Sequence, residues 1–174
     1  TRHAPVLREL GLITDAKLVD IDSDNVDELI VVGEWSSPEI LEINKSSWSS
    51  KASNLDSLSG WWYAIEAADL DGDGDEDLIL GNRGENFYFS ASADQPVKLW
   101  LQDFDENGTS EKIITRYVDG KDKPIALKRE LTEQLVSLKK QNLKHSEYAI
   151  AGMKDLFSPD ALGRAQVKES RYFK

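Results

Sequence analysis

The segment Glu66-Ala-Ala-Asp-Leu-Asp-Gly-Asp-Gly-Asp-Glu-Asp-Leu-Ile-Leu-Gly81 sets an acidic, glycine-broken loop between two short apolar runs. Counted from Asp69, positions 1, 3, 5 and 9 are Asp69, Asp71, Asp73 and Asp77, and position 6 is Gly74. Asp and Gly favour turns, which accounts for one Asp-Gly pair. It does not account for acids at every second position, because like charges this close repel unless a cation lies between them. A hard cation such as calcium needs six to eight oxygen ligands. A short loop supplies them when carboxylates alternate along a tightly curled backbone.

The pattern occurs twice more. Lys17-Leu-Val-Asp-Ile-Asp-Ser-Asp-Asn-Val-Asp-Glu-Leu-Ile-Val-Val-Gly33 places Asp20, Asp22, Asp24 and Glu28 at positions 1, 3, 5 and 9. Trp100-Leu-Gln-Asp-Phe-Asp-Glu-Asn-Gly-Thr-Ser-Glu-Lys-Ile-Ile-Thr-Arg116 places Asp103, Asp105, Asn107 and Glu111 there. Every one of these side chains offers an oxygen. Position 6 is Asn25 or Gly108, and Asn and Gly are the residues that best tolerate positive φ. Asn107 and the adjacent Lys112 lower the charge of the third loop. The expectation is therefore calcium at the first two loops and partial occupancy of the third, two to three ions in all. An EF-hand closes with an acid at position 12 between helices. Here position 12 is Val31, Leu80 or Ile114 and the flanks read as strands. Magnesium keeps its waters and rarely takes so many carboxylates from one loop.

Outward from the loops, the apolar runs are short and rich in Val, Ile and Leu. Leu29 to Val32 and Leu78 to Leu80 are continuous, as in strands buried on both faces. Glu39 to Asn44 alternates as a half-exposed third strand, the segment around Trp48 supplies a fourth, and Lys51 to Ser59 reads as a loop. The loop starts are spaced by about 50 and about 35 residues, near the size of one four-stranded blade. After Pro124 the pattern turns helical. Leu127, Leu131, Leu135 and Leu138 form a stripe expected to face inward. Ser146 can cap a second helix running through Met153 to Phe157, and Ser158-Pro159 starts a third. Gln166 to Phe173 reads as extended.

Thr14-Asp15-Ala16, Val32-Gly33-Glu34-Trp35, Gly60-Trp61-Trp62 and the loop from Asp69 to Asn82 together resemble the FG-GAP/VCBS repeat family. This is the integrin-like type, including the ASPIC/UnbV-associated type found in bacterial secreted and outer-membrane proteins. The resemblance covers Gly11 to Arg116. It implies a mainly β fold, about three antiparallel blades of a partial β-propeller over 1–123. A helical insertion over 124–165 and a returning strand over 166–174 would follow. It also implies a backbone carbonyl ligand at position 7, which is Val26, Asp75 or Thr109. The sequence departs from the family at Asn25, Glu28, Glu111 and Lys112. A full propeller needs more blades, supplied by the rest of a parent chain or by a homo-oligomer. The opening Thr1-Arg2-His3, without Met, reads as that of a processed or excised segment.

Composition narrows the function classes. Asp and Glu number 32 against 21 Lys and Arg, a formal net charge of −11, which disfavours nucleic acid. There is no cysteine, hence no disulfide or thiolate chemistry. No apolar run is long enough for a transmembrane helix, and no signal peptide is visible. His3 and His145 lack partners at telling spacing, and no nucleophile elbow or phosphate loop appears. The tryptophans read as packing ahead of a carbohydrate platform. The expectation is a secreted, periplasmic or cell-surface interaction module for a protein or glycan ligand, not an enzyme. The alternative is part of a carbohydrate-processing or other enzyme whose catalytic residues lie outside this segment.

Overall fold

The structure, a computed structural model, describes residues 5–45, 47–84, 89–141 and 143–172. It is mainly β, with open antiparallel sheets and short helices, and the chain divides into two compact units, Thr1–Ser90 with Ser170–Lys174, and Ala91–Glu169.

In the first unit, strands β1 (Leu12–Val19), β2 (Glu28–Ser36), β3 (Glu39–Asn44) and β4 (Ser47–Lys51) pair antiparallel in chain order. The continuous apolar run makes β2 the central strand. Ile30 and Val32 are fully buried on one face and Val31 on the other. β5 (Gly60–Ala68) joins β2 through Glu34 and Trp61 and forms a hairpin with β6 (Asp77–Asn82). Leu78 and Leu80 pack on the core of Val19, Ile30, Ile40, Trp62 and Ile65. Ile79 is 45% exposed, contrary to the expectation of burial on both faces. β6 ends the strand order, so its outer edge has no strand neighbour among the described residues. The expected loop at Lys51 to Ser59 contains a 3-10 turn, Asn54–Ser57, capped by the Ser53 hydroxyl.

Side chains tie β1 to β5. The Thr14 hydroxyl donates to the Trp62 carbonyl at 2.7 Å, and the Ile65 N–H donates to Asp15 Oδ2 at 3.1 Å. Trp35, Trp61 and Trp62 are all buried, as packing residues are. Trp35 meets Trp61 edge-on at 4.9 Å, and Tyr172 stacks on Trp62 at 5.7 Å. Trp35 has φ +62° where the β2–β5 register shifts, an uncommon backbone for a bulky residue.

In the second unit, β7 (Val97–Gln102), β8 (Glu111–Val118) and β9 (Lys121–Pro124) pair antiparallel, and β10 (Gln166–Ser170) lies on the other side of β7. Phe173 and Lys174, within the expected returning strand, lie outside the described residues. Between β9 and β10 run α1 (Lys128–Gln134), α2 (Val136–Lys140), α3 (His145–Ile150), α4 (Met153–Leu156) and α5 (Pro159–Arg164).

Leu131, Leu135 and Leu138 are buried beside Phe104, Ile113, Met153 and Phe157. Leu127 is 68% exposed, against expectation. It precedes α1 with extended backbone, φ −63° and ψ 152°, and so leaves the helical stripe. The expected second helix is also divided. Its first turn begins two residues early, capped at Lys144 instead of Ser146, where Glu147 accepts the Lys144 N–H at 2.7 Å, and the extended backbone of Gly152 separates α3 from α4. α5 starts as read, with the Ser158 hydroxyl accepting from the Ala161 N–H at 3.2 Å and Pro159 in the first turn.

The two kinds of leucine should separate experimentally. Leu135→Ala is expected to cost about 2–5 kcal/mol in chemical denaturation, as core truncations do. Leu127→Ala should change stability by less than about 0.5 kcal/mol, the usual range for surface sites.

Candidate metal centres

The three acidic segments connect β1 to β2, β5 to β6 and β7 to β8, and each hairpin closes in the same register. The last strand pairs are Val19 with Glu28, Ala68 with Asp77, and Gln102 with Glu111. Strand pairing thus holds the position-9 acid opposite the residue just before position 1. The acid is fixed further by the position-2 N–H. Ile21 donates to Glu28 Oε2 at 3.2 Å, Leu70 to Asp77 Oδ2 at 3.1 Å, and Phe104 to Glu111 Oε2 at 2.8 Å.

The position-1 carboxylate organises the turn. Asp20 accepts from the N–H groups of Asp24 (3.1 Å) and Asn25 (2.8 Å). Asp103 accepts from Asn107 (3.0 Å) and Gly108 (2.7 Å), and Asp69 from Gly72 (2.7 Å) and Gly74 (3.1 Å). At position 5, Asp24, Asp73 and Asn107 each accept the position-7 N–H, from Val26 (2.8 Å), Asp75 (3.0 Å) and Thr109 (2.8 Å). Position 6 has positive φ in all three loops: Asn25 at 68°, Gly74 at 95° and Gly108 at 88°. So does position 4, in Ser23 (60°), Gly72 (79°) and Glu106 (58°). Only one of those three is glycine, so position 4 carries almost no sequence signal.

This wiring gathers positions 1, 3 and 9. One carboxylate oxygen from each of Asp20, Asp22 and Glu28 lies within 4.8 Å of the others, and the same holds for Asp69, Asp71 and Asp77, and for Asp103, Asp105 and Glu111. Asp24 and Asp73 lie outside these triads, held by their own turns. Each triad could hold a metal ion.

The loops differ in their surroundings. The second is exposed throughout, including Leu70 at position 2. In the third, Phe104 is buried against Phe157, at a ring separation of 4.3 Å, and Glu111 is only 7% exposed. Burial pushes the Glu111 carboxyl above its ordinary pKa, and Asp105 and Asp103 add to the rise by repulsion. Asp105 Oδ1 is buried without a hydrogen-bond partner. Buried polar atoms are normally paired, and a divalent cation among these oxygens would satisfy both acids. In the first loop Glu28 is 3% exposed, and Lys51, read from the sequence only as the start of a loop but placed here at the end of β4, reaches Asp22 at 2.5 Å. Its hydrogen bond holds the Asp22 carboxyl below its ordinary pKa. His145 opens α3 on the surface and joins none of the triads, and His3 lies outside the described residues.

Residues 20–80 match the model of the FG-GAP-like repeat. Over this segment the chain is similar to an FG-GAP-like repeat. The match takes in the first two loops and ends in β6, so the third loop and the helices lie beyond it. No curated protein and no solved structure matches the chain. An FG-GAP-like repeat is consistent with a module for interaction, and among the described residues no helix is long and apolar enough to cross a membrane.

The repeat's turn geometry is open to test. A Cβ built on Gly74 meets nothing within 4 Å, so only its φ of 95° disfavours a side chain. Gly74→Ala should therefore cost about 1–2 kcal/mol in chemical denaturation. A neutral result would mean that the loop does not hold this backbone.

Proposed function

We propose that this chain is a calcium-binding portion of a β-propeller that serves protein or glycan interaction outside the cytoplasm, with no catalysis of its own. The observation that carries the reading is the triad of positions 1, 3 and 9 gathered three times in the same hairpin register, with Glu111 and Asp105 Oδ1 buried in the third. Positions 1, 3 and 9 would supply the gathered side-chain oxygens, position 5 would add another, and Val26, Asp75 and Thr109 would supply position-7 carbonyls. Such an all-oxygen set suits calcium better than magnesium. A bound ion supplies the positive charge the acids lack. The chain's own residues do the rest: the position-1 acid curls the loop, and the register holds the position-9 acid in place.

The four-stranded meander β1–β4 and the four-stranded sheet β10-β7-β8-β9 have the size of propeller blades. Further blades would come from a longer parent chain or from another copy. Among the described residues, the acid clusters that could hold a metal all lie in the loops, which favours an interaction module over an enzyme-associated one.

Extracellular modules of this kind bind calcium at about 10⁻⁴ to 10⁻³ M. At roughly 1 mM calcium, each occupied site would add about 0.4–1.4 kcal/mol. Cytosolic calcium would leave such sites nearly empty, which is the basis for placing the protein outside the cytoplasm. Thermal melts should accordingly shift upward with calcium relative to chelator. Glu111→Gln removes a buried, repelled charge while keeping an acceptor for the Phe104 N–H. It should raise the melting temperature in chelator and shrink the calcium increment. Superimposed melts of the unsubstituted chain with and without calcium would refute the proposal.

A further inference from the structure

The first loop has a cation of its own. Lys51 ends β4 opposite Ile40 of β3, and Ile40 lies opposite Ile30 of β2. Directly opposed residues share a face of the sheet. Glu28, two residues from Ile30 along β2, is on that face too. The Lys51 ammonium lies 2.5 Å from Asp22 Oδ2 and 3.9 Å from Glu28 Oε1, the acids at positions 3 and 9. Among the described residues, these are the ion pairs that reach any acid of the three triads, and Lys51 makes both.

We infer that Lys51 is a tethered counter-ion of the first loop, one that holds the triad together when no metal is bound and sets how tightly a divalent ion can bind there. This rests on the calcium reading above. Two of the three triad acids already face a positive charge. An ion coordinated by Asp22 and Glu28 would take the ground the ammonium holds, so the lysine must swing away or remain as a repelling neighbour. Its four-carbon stem and 31% exposed side chain allow the swing. The consequence reverses the order suggested by charge alone. The first loop, with four carboxylates at its ligand positions, becomes the weakest calcium site, below the third loop with its Asn107. In exchange, the first loop tolerates low calcium better than its charge implies.

The test is calcium titration by calorimetry, with melts in chelator and in calcium, on the full chain and three variants. Lys51→Met keeps the apolar stem and removes the charge. It should tighten the weakest site by on the order of tenfold, as expected from the loss of a nearby like charge. In chelator Lys51→Met should melt below the unsubstituted chain, and it should gain more from calcium. Lys51→Arg should behave as the unsubstituted chain does. Adding Asp22→Asn to Lys51→Met should abolish the gain in affinity, which assigns it to the first loop. Calcium uptake with identical isotherms for the unsubstituted chain and Lys51→Met would overturn the role of Lys51 and leave the calcium reading standing. No uptake by either would overturn both.

Discussion

The acid at the first position of each second strand is the constraint from which the rest of this architecture follows. Glu28, Asp77 and Glu111 are held twice, by the strand register and by the N–H of position 2. They cannot retreat from the acids at positions 1 and 3. Each hairpin therefore closes on a triad of carboxylates that electrostatics would drive apart. The three loops relieve this differently. The second leaves its acids in water, where screening is strong. The first brings in Lys51. The third does neither and buries a triad acid with an unpartnered oxygen beside it.

The third loop's situation is made by the helices. Phe104 is the position-2 residue of the loop and also a member of the core built by Leu131, Leu135, Met153 and Phe157. The same backbone that donates to Glu111 is thus anchored in apolar packing. Ile21 does this partially in the first unit, and Leu70 not at all, being 65% exposed. One repeating turn is consequently anchored to three different degrees by a single variable side chain.

Much of the fold was legible because period and turn chemistry agreed. The run Leu29 to Val32 announced a central strand, and the alternating acids located all three hairpins. Position 6 was visible because Asn25, Gly74 and Gly108 belong to the few residues suited to positive φ. Position 4 was not, because Ser23 and Glu106 adopt the same backbone under compulsion from the flanking hydrogen bonds. The break at Leu135 and the exposure of Leu127 were hidden for a related reason. Spacing reports which residues could share a helical face, and not where the backbone leaves the helix. Lys51 was illegible because its role depends on the pairing of four strands, which no local pattern encodes.

The strained backbone of Trp35 bears on how this sequence can vary. Glycine would take φ +62° freely, and any other side chain gives up part of that freedom at about 1–2 kcal/mol. Yet the residue is 6% exposed and packs edge-on to Trp61 at 4.9 Å. Truncating a buried aromatic costs about 3–5 kcal/mol, more than the relaxed backbone returns. The position is thus isolated in sequence space. Glycine repairs the chain and empties the core, while other residues keep the strain and pack less well. Drift at Trp35 is open only to a lineage that rebuilds Trp61 and the bulge of β2 along with it.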